Sequence, residues 1–168
     1  MGLFKEKLRG IKAFVFDVDG VLAENLVRLH PSGDLMRTMN TRDGYAMVKA
    51  IKSGFPIGII SGAKSPSIIT RFESMGVNDI YLNSSNKLEH LFDFMSVHKI
   101  KAEDLLYMGD DIPDIEAMKA VGLPTCPNDA AEEVQGISEY ISNFPGGRGC
   151  VRDIIEQVLR AQGKWLNK

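Results

Sequence analysis

The stretch Phe14-Val15-Phe16-Asp17-Val18-Asp19-Gly20-Val21 places two carboxylates two residues apart, directly behind an apolar run. On extended backbone, residues i and i+2 face the same way, so both acids would address one site. Oxygen donors of this kind suit magnesium, which takes a carboxylate from one residue and a carboxylate or carbonyl from its neighbour. The cation in turn neutralises a phosphate, which lets an anionic carboxylate approach phosphorus as a nucleophile. Taken alone, Asp-x-Asp-Gly is also plain turn chemistry. A second acidic stretch, Gly109-Asp110-Asp111-Ile112-Pro113-Asp114, shifts the balance, because three more carboxylates would repel one another without a cation.

Two further residues fit the same chemistry. Ser61, with Gly62, offers a hydroxyl and a backbone N–H to a phosphate oxygen near a helix start. Lys87 would bring a compact positive charge. Each has an ordinary alternative, Ser61 as a helix N-cap and Lys87 as a solvated surface lysine.

These residues need elements that bring them together. Ile11 to Phe16 reads as a buried strand that delivers Asp17, and Ile57 to Ile60 and Leu105 to Met108 repeat the plan ahead of Ser61 and Asp110. Asp79 to Leu82 is a weaker fourth strand. Helical periods lie between and after them at Gly44–Ser53, Ser65–Met75, Asn86–His98 and Pro113–Val121. The alternation predicts an α/β fold, a doubly wound Rossmann-like parallel sheet with helices on both faces and function at the carboxyl ends of its strands. Val21 to Met39, with Pro31-Ser32-Gly33-Asp34 near its centre, reads as a β-hairpin flap. Phe144 to Gly149 reads as a glycine-rich linker before a helix at about Val151–Ala161, within a C-terminal segment 144–168.

The 168 residues suit one domain spanning 1–168, with enough chain for a core without disulfides or structural metal. Twenty basic and 22 acidic side chains give a net charge of −2, so no general field draws nucleic acid or an anionic membrane. Cys126 and Cys150 show no ligand spacing and read as buried small residues or free thiols. No signal-peptide core or membrane-length apolar run is present, so the cytosol is expected.

The order of the four motifs, Asp17-x-Asp19, Ser61, Lys87, then Gly109-Asp110-Asp111 with Asp114, resembles the haloacid dehalogenase superfamily from about Ile11 to Ala120. The resemblance implies Asp17 as nucleophile and Asp19 as acid for the leaving alkoxide, then base for water. It implies Asp17, the Asp19 carbonyl and Asp110 as magnesium ligands, Ser61 and Lys87 as phosphate ligands, and Asp111 and Asp114 as supports of the metal shell or of Lys87. No segment is long enough for a cap domain.

A narrower likeness rests on Asp17 to Leu22, on Asn40-Thr41-Arg42-Asp43-Gly44-Tyr45, and on Gly146-Gly147-Arg148-Gly149-Cys150-Val151-Arg152 with Ala161-Gln162-Gly163-Lys164. There the chain is similar to the 3-deoxy-D-manno-octulosonate 8-phosphate phosphatases, which serve synthesis of a lipopolysaccharide core sugar. This likeness implies a homotetramer built through the hairpins. It also implies sugar-acid contacts from the loop Asn40, Thr41, Arg42, Asp43 and Gly44, with charge from Arg71 and Lys87 and with Arg148 reaching a neighbouring site. Arg42-Asp43 also reads as a surface ion pair and Arg71 as an exposed helix position. The chain departs from the family where an arginine usually follows the Ser/Thr-Gly pair, since Ala63 and Lys64 stand there, and at Asn83-Ser84-Ser85-Asn86. Rival readings are a phosphatase of nine-carbon sugar-acid 9-phosphates, a phosphotransferase acting between sugars, and a non-catalytic tetramerisation module.

Overall fold

The innermost strand, β1 (Ala13–Phe16), is buried at every residue and feeds both halves of the core. A computed structural model describes residues 2–166; Met1 and the last two residues of the expected segment 144–168 lie outside the described residues. Side chains alternate along β1, so Phe14 and Phe16 join one apolar cluster while Ala13 and Val15 join the other. Beside it lie β4 (Ile57–Ile60), β5 (Asp79–Tyr81), β6 (Leu105–Met108), β7 (Leu123–Cys126) and β8 (Tyr140–Ile141). All are parallel, in the order β5-β4-β1-β6-β7-β8. The chain winds outward from β1 through β4 to β5, then crosses to β6 on the other side. The carboxyl ends of β1 and β6 therefore flank the point where winding reverses, the usual place for a ligand in such sheets.

Helices cover both faces. Ala46, Met47 and Ala50 of α2 (Thr41–Lys52), Ile68 and Phe72 of α3 (Pro66–Glu73), and Ile154, Ile155 and Val158 of α7 (Cys150–Ala161) pack on the Phe14 side. Leu8 of α1 (Gly2–Gly10) joins them. On the Val15 side pack Leu91 and Phe94 of α4 (Lys87–His98), Ala117 and Met118 of α5 (Ile115–Lys119) and Val134 of α6 (Glu132–Ile137). The expected α/β architecture is what the chain adopts. Among the described residues no helix is long and apolar enough to cross a membrane, and Cys126 and Cys150 are free and buried.

Three expectations change. The flap is shorter than 21–39: it consists of β2 (Arg28–Leu29) and β3 (Leu35–Met36), while Val21, Leu22 and Ala23 are core residues. The stretch from Asn40 to Gly44 is no loop. The Asn40 side chain accepts from the backbone N–H of Arg42 (2.8 Å) and of Asp43, so Thr41 to Gly44 form the first turn of α2. Finally, β7 and β8 add two strands whose sequence hid them. Proline inside Leu123-Pro124-Thr125-Cys126 argues against an inner strand. Here the Pro124 carbonyl meets Glu139 N–H (2.9 Å), one residue before β8 begins, so its missing N–H faces the sheet's short end.

The glycine-rich segment closes the Asp17 loop from behind. Gly147 N–H donates to Val21 O (2.8 Å) and Cys150 Sγ lies 3.3 Å from the same carbonyl. A Cβ on Gly146 would sit 1.9 Å from Gly20 O, and one on Gly147 (φ +68°) 2.4 Å from Glu24 N. Backbone rests on backbone there, which only glycine permits.

Candidate active site

The residue after β1, Asp17, extends its ladder through an N–H bond to Met108 O (3.1 Å), and its Oδ1 accepts Val18 N–H (2.6 Å). Lys87, at the start of α4, is only 8% exposed, and its Nζ lies 2.8 Å from Asp17 Oδ2 and 2.8 Å from Asp114 Oδ1. Asp114 is fully buried and saturated with donors. Oδ1 takes Lys87 and the Tyr107 hydroxyl (2.8 Å), and Oδ2 takes the N–H of Asp110 (3.1 Å) and of Asp111 (3.4 Å). The Asp111 carboxylate instead caps the short turn Ile112–Asp114 through Ile112 N–H (2.8 Å).

Carboxylate oxygens of Asp17, Asp110 and Asp114 lie within 4.8 Å of one another. Burial, then the Asp114 charge, pushes the Asp17 carboxyl up to about 7 despite Lys87. Burial, with Asp17 and Asp114, pushes Asp110 up to about 8. Burial works against the Lys87 charge, but its two carboxylate neighbours outweigh that and hold it above the ordinary lysine value. Three crowded acids share one lysine, and a divalent cation relieves that repulsion. Asp114 has its lone pairs occupied, so Asp17 and Asp110 are the carboxylates left for a hard cation, and this donor set fits magnesium. Gly20 (φ +84°) makes the approach feasible, since a Cβ there would lie 1.8 Å from Asp110 Oδ2.

Ser61 follows β4 and is 2% exposed. It is not the N-cap of α3, a position held by Ser65; its Oγ accepts Ala63 N–H (3.2 Å) in the loop that also presents Gly62. Lys64 lines a cleft of about 220 Å³ with Leu35 and Arg37 of the hairpin.

The other residues singled out from sequence separate into two groups. Asn40, Gly44 and Arg71 come together, with Arg71 Nη2 3.0 Å from where a Gly44 Cβ would lie. Asn40, Thr41, Arg42 and Arg148 border a cleft of about 820 Å³, which includes none of Asp17, Ser61, Lys87 or Asp110. Arg148 pairs with Glu24 (3.0 Å). Asp43 lies with Asn40, Gly44 and Arg71 but does not border the 820 Å³ cleft, and its carboxylate is buried. At 1% exposure its Oδ1 accepts Arg152 N–H (2.6 Å) at the start of α7, its Oδ2 has no hydrogen-bond partner among the described residues, and burial lifts its carboxyl to about 6.

Two residues of the site escaped the sequence reading. Tyr107 looks like one more apolar residue of β6, and a phenol two positions before Gly109 is its only signal. Arg37 follows β3 and grips Asp19 through one edge of its guanidinium, Nε donating to Oδ1 at 2.6 Å and Nη2 to Oδ2 at 2.9 Å. Nothing local in the sequence marks it.

Residues 47–149 match the model of a family described as haloacid dehalogenase-like hydrolases. The chain is 34% identical over 158 residues to the 3-deoxy-D-manno-octulosonate 8-phosphate phosphatase of Escherichia coli K12, covering 94% of this chain and 84% of that one. It resembles the crystal structure of the Moraxella catarrhalis enzyme of that name, in complex with magnesium, phosphate and the sugar acid, with a TM-score of 0.94 and 28% identity over 98% of this chain and 95% of the other. It also resembles the cobalt-bound Haemophilus influenzae enzyme, with a TM-score of 0.91 and 30% identity over 95% and 93% of the two chains.

Proposed function

Because the chain belongs to the haloacid dehalogenase-like hydrolases, and among them to the 3-deoxy-D-manno-octulosonate 8-phosphate phosphatases, we propose that it hydrolyses this sugar-acid phosphate to the free sugar acid and phosphate. The observation that carries the reading is the buried Asp17–Lys87–Asp114 cluster with Asp110 at the strand ends. The cofactor is magnesium; Asp17, Asp110 and the Asp19 carbonyl would hold it, and it would neutralise phosphate charge there.

In the first step an Asp17 oxygen attacks phosphorus, the bond to the sugar oxygen breaks, and that oxygen takes a proton from Asp19. In the second, Asp19 takes a proton from water as the water oxygen attacks phosphorus and the Asp17–phosphorus bond breaks. Lys87, Ser61 and the Gly62 N–H hold phosphate oxygens, while Asp114 and Tyr107 hold Lys87 in place. Asn40, Gly44 and Arg71 face the sugar acid, with Thr41, Arg42 and Arg148 at the border of the larger cleft.

One domain without a cap leaves the site open, and the hairpin supplies a reason for assembly. Leu29 (81% exposed), Leu26 and Met36 are apolar and face solvent in the single chain. A homotetramer joined through the hairpins would cover them and shield the site, as a cytoplasmic enzyme of lipopolysaccharide sugar synthesis.

The test is phosphate release with magnesium from the eight-carbon substrate, nine-carbon sugar-acid 9-phosphates and hexose phosphates, with sedimentation on the same sample. Chelator-sensitive preference for the eight-carbon acid is the expected result. Preference for a nine-carbon acid would retain the chemistry and remove the substrate assignment, and a monomer in sedimentation would remove the tetramer.

A further inference from the structure

The geometry points to Arg37 as the residue through which the hairpin positions Asp19 for its two proton transfers. The inference rests on the acid and base role proposed above for Asp19. The Asp19 side chain is 37% exposed, so packing alone does not fix its rotamer. The Arg37 side chain is 6% exposed and uses three N–H groups at once, two on the Asp19 oxygens and Nη1 on Leu35 O (3.0 Å). A planar fork satisfied in this way orients a carboxylate in two directions, which a point charge does not do.

The arm that carries Arg37 is fastened to the loop it serves. Met39, two residues on, forms an antiparallel bridge with Ala23, and Ala23 forms a parallel bridge with Asp19. Each Asp19 oxygen keeps a second lone-pair direction outside the fork, where a leaving oxygen or a water can meet it. Arg37 therefore acts through Asp19 and need not touch substrate.

A misplaced acid harms substrates unequally. A sugar alkoxide leaves only with a proton, whereas p-nitrophenolate leaves without one; both share the later attack by water. In Arg37→Met with magnesium, turnover of the fastest sugar-acid phosphate should fall on the order of 10- to 100-fold at similar KM, the size expected for a misplaced catalytic group. With p-nitrophenyl phosphate the same variant should release about one equivalent of p-nitrophenolate rapidly and then turn over slowly, because phosphoenzyme forms but water attack lags. Arg37→Lys should recover part of the loss.

Asp19→Asn, measured alongside, should show the same burst. Its absence there would remove the acid and base role of Asp19 and the inference with it. If Asp19→Asn bursts while Arg37→Met loses both substrates equally with raised KM and no burst, Arg37 holds phosphate and the positioning role is wrong. Unchanged turnover in Arg37→Met, with circular dichroism matching the parent, also overturns it. The parent protein's own substrate preference is read separately from these ratios.

Discussion

Asp17→Asn should make the metal-free protein more stable as it destroys catalysis. The folded chain holds the Asp17 carboxyl near 7 against an ordinary 3.8, net of the attraction from Lys87. Between those values the folded state binds a proton that the unfolded chain has released, so this group's contribution to stability is full below about pH 4 and is lost as pH rises through about 7. At about 1.4 kcal/mol per pH unit, the ionised carboxylate costs the fold on the order of 2 to 4 kcal/mol at pH 8. Asparagine keeps the shape and removes the charge, while Lys87 retains Asp114 at 2.8 Å. For a chain of this size that corresponds to a rise in Tm on the order of 5 to 10 °C. Thermal melts followed by circular dichroism at pH 5 and pH 8, in chelator and in magnesium, measure it. The gain should appear at pH 8 in chelator, shrink at pH 5, and shrink again in magnesium, where the cation already relieves the crowding. Phosphate release should be abolished throughout. A lower Tm than the parent at pH 8 in chelator would refute the repulsion argument, and surviving turnover would refute Asp17 as nucleophile.

Asp43→Asn should behave similarly at a second place, because its carboxyl is lifted by burial to about 6 and its Oδ2 is unpartnered among the described residues. The parent loses this contribution as pH rises from about 4 through 6, so the variant should gain on the order of 2 kcal/mol at pH 8 and little at pH 4, read from urea midpoints at the two pH values. Gly20→Ala would drive a Cβ into the Asp110 carboxylate and strain a φ of +84°, so the magnesium concentration for half-maximal activity should rise about tenfold or more; an unchanged magnesium titration would count against Asp110 as a ligand. Tyr107→Phe leaves Asp114 one donor short, which should lower Tm by roughly 3 to 6 °C and raise KM through a looser Lys87, with an unaltered melt counting against the network.

Residues that one strand delivers to one loop were legible from sequence. Asp17, Ser61 and Asp110 each follow a short buried run, so strand polarity alone puts them at one edge of the sheet. Lys87 was legible by type but not by burial, since its 8% exposure comes from partners 70 and 27 residues away in the chain. Arg37 and Asp43 lay beyond a local reading for a related reason. One pairs with a carboxylate 18 residues back, the other with the backbone of Arg152, and neither partner leaves a mark on the neighbouring sequence. Asn40 to Gly44 looked like a loop because Asn, Thr and Asp favour turns, yet the same side-chain chemistry begins a helix. Pro124 hid β7 because proline's cost depends on which neighbour its missing N–H would face, and that is a property of the whole sheet.

The backbone contact between Gly146-Gly147 and the loop from Gly20 to Glu24 also sets an order of events in synthesis. Val21 and Cys150 are 129 residues apart, so the segment bearing Asp17 and Asp19 is made well before the residues that buttress it. A nascent chain that has emerged through β7 can assemble most of its sheet, but its Asp17 loop still lacks the backing that residues 146–150 provide. Closing so long a span costs more chain entropy than pairing neighbouring strands, and residues 150–159 also carry core side chains, so the backing of this loop and completion of the Phe14 side of the core belong to one step.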